Sequence, residues 1–248
     1  MTLYQAVAHV FTTIPSGGFS PMARSVEAFS PTVQWIIIPF MFVAAMNFTL
    51  LWQAIFSDPT APARDTEFRV YLSVFIGGSL LVSAMLWGDG QFAGLEETLR
   101  HGTFQTATLL TTTGYASTDF AVWGQEVLAV LVALMLASGC VGSTSGGLKL
   151  MRWIVGFKVI GRELFQMIHP SSVRPMWLGR RTVKEPVVRG ILIMLLTYLL
   201  LVFGGTGLIA VDAHRAGIDL ALSEAFTGTL VVLGNIGPGF GAVGPVGG

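Results

Sequence analysis

Charged residues are scarce in this sequence. Asp, Glu, Lys and Arg make up 11% of its 248 residues, whereas a soluble domain carries about 25%. So few charges cannot cover a soluble surface, which excludes a cytosolic enzyme. Hydrophobic residues make up 52% of the chain, and the mean hydropathy is +0.69. This composition predicts an all-α polytopic membrane protein.

Cysteine is almost absent as well. Cys140 stands alone, which excludes an internal disulfide and a cysteine-based metal site. None of the four histidines has an HxxxH partner, so we predict no transition-metal site. We also expect no covalently bound cofactor. His9 and His101 fall in short predicted helices, and we expect them to be polar groups satisfied by hydrogen bonds.

Positive charge is concentrated in one segment. Residues 149–189 hold nine of the 14 basic residues but only two of the 14 acidic ones. Because this run lies between apolar spans, the positive-inside rule explains it better than nucleic-acid binding does. We therefore predict that residues 157–186 face the cytoplasm and that the chain lies in the inner membrane. The segments assigned to the outer side are net acidic, which attracts cations.

Hydropathy predicts several membrane-spanning helices. Trp35–Phe56, Val70–Trp87 and Val187–Val211 are each long and apolar enough to cross the hydrocarbon layer. A further span begins at Glu126, but SGCVGSTSGG at 138–147 interrupts it. A broken helix of this kind is typical of an ion pathway. A packing kink rich in small residues is the alternative.

Three shorter segments resemble one another, each with a short helical stretch, small polar residues and then glycine. They cover residues 6–21, 103–120 and 223–241. Gly18 and Gly114 are 96 residues apart, and Gly114 and Gly237 are 123 apart. Irregular backbone at membrane depth is tolerated where it lines a water-filled path, and its carbonyls can replace the water shell of an alkali cation. The pattern predicts repeated re-entrant loops that share the outer face.

These loops, with GCVGSTSGGLKLMR at 139–152 and NIGPGFG at 235–241, resemble the TrkH/KtrB superfamily of bacterial potassium-uptake proteins. The resemblance covers nearly the whole chain. It implies a potassium-channel-like pore subunit of pseudo-repeats, each with an outer helix, a re-entrant pore helix, a filter loop and a lining helix. The implied units are a second repeat at 1–56, a third repeat with a broken lining helix at 57–168, a cytoplasmic basic loop at 169–186 and a truncated fourth repeat at 187–248.

The same resemblance implies the site residues. The transported ion would be K⁺, moving through a filter of backbone carbonyls and past a gate in the broken lining helix. The filter would comprise Ser16, Gly17, Gly18, Thr112, Thr113, Gly114, Asn235, Ile236 and Gly237. The gate loop would comprise Gly139, Cys140, Gly142, Ser143, Thr144, Ser145, Gly146 and Gly147.

The partners that the resemblance implies are a second copy in a homodimer, a cytoplasmic nucleotide-binding regulatory subunit of the TrkA/KtrA type, and membrane lipid. The basic loop suits a docking surface for the regulatory subunit. Family members have four repeats, so we expect this chain to lack the first repeat and the end of the fourth. In this superfamily the first-repeat filter position distinguishes sodium carriers from potassium carriers. Because we expect this chain to lack that position, a sodium-selective or mixed sodium/potassium transporter remains an alternative.

The string GSTSG at 142–146 raises a different class, an intramembrane serine hydrolase. The nucleophile elbow needs serine at its third position, which Thr144 occupies, and the histidines lie in other segments. We therefore predict a transporter and not an enzyme. Asp and Glu fall near span ends or in loops, which favours a gated channel over transport coupled to protons or sodium.

Overall fold

The computed structural model of the chain describes residues 1–172, 174–179 and 181–244. Its α-helices in these ranges are α1 (Leu3–Thr13), α2 (Pro31–Ala44), α3 (Phe48–Phe56), α4 (Ala61–Arg64), α5 (Thr66–Gly88), α6 (Leu95–Leu110), α7 (Gln125–Leu136), α8 (Leu150–Ile168), α9 (Glu185–Arg215) and α10 (Leu222–Gly234). Short 3₁₀ turns cover Ser25–Ala28, Phe120–Val122 and Gly241–Val243. An antiparallel hairpin of β1 (Met176–Leu178) and β2 (Arg181–Val183) is a small addition to a fold that is otherwise helical, as predicted.

Two helices in the described ranges are long and apolar enough to cross a membrane, namely α5 and α9. They contain the predicted spans Val70–Trp87 and Val187–Val211. Asp65 begins α5 as its N-cap, because its carboxylate accepts a hydrogen bond from the Phe68 amide at 2.8 Å. The prediction of a multi-pass helical membrane protein is confirmed.

The predicted span Trp35–Phe56 is not one straight helix. Helix α2 ends at Ala44, α3 begins at Phe48, and their axes differ by 102°. Asn47 starts the second helix, since its side-chain oxygen accepts from the Leu50 amide at 3.1 Å. Hydropathy alone does not reveal this break, because Asn47 is its single polar residue and apolar residues flank it on both sides. The two helices count as a third span only if the bent pair crosses the membrane as a unit.

Helix α6 lies at the centre of the fold and is buried along almost its whole length. Leu109 on α6, Leu86 on α5 and Leu131 on α7 are fully buried members of one core cluster. On the opposite side, Phe104 of α6 packs with Met41 of α2 in a second cluster. Fully burying one such side chain contributes about 1.5–3 kcal/mol. This packing fixes the end of α6, from which the second predicted filter segment starts.

The interrupted span is confirmed as irregular backbone between two helices. Helix α7 ends at Leu136 and α8 begins at Leu150, so residues 138–147 form a loop and not a helical turn. Much of the loop is enclosed by the fold, because Ser138, Cys140 and Ser145 are buried, although Val141 is exposed. Buried backbone must find hydrogen-bond partners, and the partners of this loop define the site.

Candidate functional site

The three predicted filter segments share one backbone conformation. In each segment the first and third residues have positive φ and the middle residue does not. The values are 55° and 63° at Ser16 and Gly18, 54° and 90° at Thr112 and Gly114, and 49° and 114° at Asn235 and Gly237. Positive φ is uncommon outside glycine, and Ser25 is the one further non-glycine case in the described ranges. The same uncommon backbone conformation therefore occurs three times, at residues that the sequence predicts to form the filter.

The three segments lie side by side in chain order. A Cβ atom placed on Gly18 would lie 1.9 Å from the carbonyl oxygen of Thr113, and one placed on Gly114 would lie 2.1 Å from that of Ile236. Each glycine thus packs directly against a carbonyl of the next segment. The structure brings the three predicted filter segments together. Their role as ion ligands stays a prediction.

The segments have an inner and an outer end. Each starts, at the end called inner here, where helix α1, α6 or α10 stops, so the negative end of a helix dipole is next to each segment. Beyond the glycines, a cavity of about 340 Å³ is lined by all three segments, including Gly18, Gly114 and Gly237. The C-terminal helix ends carry partial negative charge, which favours a cation over an anion at the start of each segment.

Tyr115, which follows the second segment, fixes that segment to the first helix. Its hydroxyl oxygen is 2.6 Å from the Thr12 hydroxyl and 3.0 Å from the Thr13 hydroxyl, and it lies 3.1 Å from the carbonyl oxygen of His9. The ring is fully buried. These contacts set the distance between segments one and two, on which the size of any ion site depends.

The two buried histidines hold the outer ends of their own segments. His9 Nε2 is 3.1 Å from the Ser20 hydroxyl, and His101 Nδ1 is 2.8 Å from the Ser117 hydroxyl. The other ring nitrogen of His101 contacts Arg100, which is also buried. The expectation that these histidines are satisfied polar groups is confirmed. The described residues contain no cluster of three His, Cys, Asp or Glu side chains that could hold a metal ion.

The predicted gate loop lies against the inner ends of all three segments. The Thr144 hydroxyl is 2.9 Å from the Ser16 hydroxyl, and the Gly146 amide donates to the Thr112 hydroxyl at 2.6 Å. A Cβ atom on Gly146 would lie 2.2 Å from the carbonyl oxygen of Gly234, immediately before the third segment. The loop therefore covers the end of the filter segments opposite the cavity.

The loop also pairs with the break between α2 and α3. Three backbone hydrogen bonds join them, from the Cys140 amide to the Ala45 carbonyl (3.0 Å), from the Phe48 amide to the Gly142 carbonyl (3.1 Å) and from the Thr144 amide to the Ala44 carbonyl (3.3 Å). Each break supplies partners for backbone groups that the other break leaves free. The bend between α2 and α3 and the interruption between α7 and α8 are therefore one feature of the fold.

Glu67 is a site residue that the sequence did not reveal. It lies in the first turn of α5, where an acid normally contacts solvent, yet it is only 3% exposed. Its Oε1 atom accepts hydrogen bonds from the amides of Val141, at 2.8 Å, and Met151, at 3.2 Å. Lys149 adds a second anchor, since its ammonium donates to the carbonyl and hydroxyl oxygens of Ser145. A lone acid at the edge of an apolar run gave no signal of this contact.

The sequence profile of the TrkH family of cation transport proteins matches residues 1–245. The chain is 31% identical to the Trk system potassium uptake protein TrkH of Salmonella typhimurium, over 98% of the chain and 50% of the relative. It is 30% identical to TrkG of Escherichia coli strain K12, over 98% of the chain and 49% of the relative. The chain thus spans about half the length of the curated relatives it matches.

A solved structure agrees with the fold. The crystal structure of the potassium transporter TrkH from Vibrio parahaemolyticus superposes with a TM-score of 0.88 at 30% identity, covering 98% of this chain and 52% of that one. The match extends over both helix breaks and the three filter segments, because it covers almost the whole chain. By sequence profile and by fold, the chain belongs to the TrkH family of cation transport proteins.

Proposed function

We propose that the chain supplies three filter segments of a potassium-uptake pore in the inner membrane. The relatives that it matches are named potassium uptake proteins, and the similar solved structure is described as a potassium transporter. The observation that carries the proposal is the thrice-repeated backbone path at Ser16–Gly18, 112–114 and 235–237. Rings of such carbonyls can replace the water shell of K⁺. A fourth segment would complete the ring.

Residues 139–147 are the proposed gate. In the conformation described here they occupy the inner ends of the filter segments, so an ion leaving the filter would meet the loop. Opening would require the loop to release Ser16 and Thr112 and to move away from Gly234. Small residues suit this task, because they allow close approach to the filter without large side chains that must be repacked.

The assembly of the pore is also a proposal. We propose a homodimer whose basic segment, within residues 157–186, binds the cytoplasmic regulatory subunit. The relatives are named as proteins of a Trk system, which agrees with more than one component. On this face Arg162 holds both carboxylate oxygens of Glu185 at 2.9 Å and so ties α8 to α9. Arg174 stacks over the Phe165 ring at 3.5 Å.

Ion selectivity tests the proposed function. The full-length protein should restore growth at low potassium to a bacterium that lacks its own potassium-uptake systems. Uptake of radioactive rubidium, which substitutes for potassium, should be suppressed by excess K⁺ and not by the same excess of Na⁺. Equal suppression by Na⁺ would replace this proposal with the alternative of a sodium-selective or mixed transporter. No rubidium uptake and no sodium uptake would contradict a transport role.

A further inference from the structure

The two helix breaks leave backbone groups that a continuous helix would satisfy. In an unbroken α2 the Met46 amide would bond to the Phe42 carbonyl, but it bonds to the Val43 carbonyl instead, at 3.1 Å. The amide of Met151 has no partner within its own helix, because it lies in the first turn of α8. These groups lie at buried or partly buried residues, where backbone groups need a hydrogen-bond partner.

One face of α5 supplies partners for both breaks. Glu67 and Tyr71 are four residues apart, so they project from the same face of the helix, and both are buried. The Tyr71 hydroxyl donates to the Phe42 carbonyl at 3.0 Å. Glu67 accepts from Val141 and Met151, which stand at the two ends of the segment that contacts the filter.

The Glu67 side chain is well suited to hold the backbone of the loop in place. A single oxygen, Oε1, accepts both amides, so releasing it would free both ends of residues 142–150 together. Hydrogen bonds to a charged acceptor are about twice as strong as neutral ones. A carboxylate at the start of α8 is also favoured by the helix dipole.

We infer that Glu67 and Tyr71 form a positioning pair on α5 that holds the gate loop closed by anchoring both broken lining helices. The inference rests on the proposed function for the identity of the gate. Neither residue contacts the predicted ion path directly. Both act by fixing the backbone of the loop and of the bend with which it pairs.

Cys140 is an internal reporter of loop position. It is the single cysteine of this sequence, it lies in the loop, and it is 1% exposed. A membrane-permeant maleimide should therefore label Cys140 slowly while the loop is closed and faster once the loop is released. Mass spectrometry of the peptide that contains Cys140 reports the labelling rate in the full-length protein, independently of ion flux.

Three variants separate the contributions of charge, acceptor and donor. Glu67→Met keeps the length of the side chain but removes the acceptor, and it should raise both the Cys140 labelling rate and the basal rubidium flux by roughly tenfold. Glu67→Gln keeps an oxygen that can accept both amides and should stay within about threefold of the wild type. Tyr71→Phe keeps the ring stacked on Phe42, 4.7 Å between centroids, and should raise labelling by several-fold.

The outcomes distinguish the inference from the function on which it rests. Ser73→Ala is the matched control, because the Ser73 hydroxyl is exposed and bonds only within α5. Faster labelling of Glu67→Met and Tyr71→Phe with unchanged flux would support the positioning pair and contradict the gate. Unchanged labelling in both variants would overturn the positioning pair. If Glu67→Met does not reach the membrane, the labelling rate of Tyr71→Phe decides the question, and an unchanged rate overturns the positioning pair.

Discussion

Gly114→Ala is expected to abolish uptake, with at least a tenfold fall in rubidium influx at unchanged protein level. The new methyl carbon would lie 2.1 Å from the Ile236 carbonyl oxygen, far inside contact distance. Alanine is also strained at the φ of +90° found there, by about 1–3 kcal/mol. Relief requires the second and third segments to separate, which would spoil the spacing of carbonyls that replaces the water shell of the ion.

Gly77→Ala is the matched control for this change. Gly77 lies inside α5 with nothing within 4 Å of a Cβ atom placed on it, so alanine should be tolerated and even favour the helix slightly. Influx of rubidium and the amount of protein in the membrane fraction are measured for both variants. Wild-type influx in Gly114→Ala would contradict the assignment of residues 112–114 to a filter.

Thr144→Val is expected to raise basal flux about fivefold. The hydroxyl of Thr144 lies 3.0 Å from the Ile14 carbonyl oxygen, 2.9 Å from the Ala44 carbonyl oxygen and 2.9 Å from the Ser16 hydroxyl. Valine has nearly the same shape but cannot make these contacts. The hydroxyl has one proton and donates to only one of the two carbonyls at a time, so the net cost is about that of one hydrogen bond, about 1 kcal/mol. Since about 1.4 kcal/mol corresponds to a tenfold change in an equilibrium, the loop should leave the filter about fivefold more often.

Two further variants control for a general loosening of the loop. Thr144→Ser restores a hydroxyl and should return flux to near the wild-type value. Ser143→Ala removes a hydroxyl whose partners are Cys140, Ser145 and Lys149, none of them in the filter segments, and it should change flux little. Flux would be measured in the absence of any stimulus that opens the pore. A decrease in flux in Thr144→Val would argue against residues 139–147 as a barrier.

Sequence reasoning located the main parts of the fold because local signals mark them. Continuous hydropathy marks α5 and α9, and repeated glycine after small polar residues marks the three filter segments. The interruption after α7 was visible because SGCVGSTSGG at 138–147 has too few helix-forming residues to continue a span. In each case the sequence pattern and the helix or loop that it predicts lie at the same residues.

The bend at residues 45–47 and the role of Glu67 were not visible for the opposite reason. Their causes lie far away in the sequence. The bend is stabilised by hydrogen bonds to residues 140–144, and Glu67 is buried by the loop that it binds. Apolar residues continue through Ala44 and Ala45, and an acid one residue into an apolar helix is an ordinary helix start. Such long-range pairings appear only once the chain is folded.

The central claim is that the three segments coordinate a dehydrated alkali cation. The most direct test is a crystal structure of the full-length protein grown with thallium, a heavy substitute for potassium whose anomalous scattering locates it. We expect anomalous peaks on the axis between Gly18, Gly114 and Gly237, surrounded by carbonyl oxygens of their segments and weakened by excess K⁺. Thallium bound elsewhere, with none on that axis, would contradict the claim.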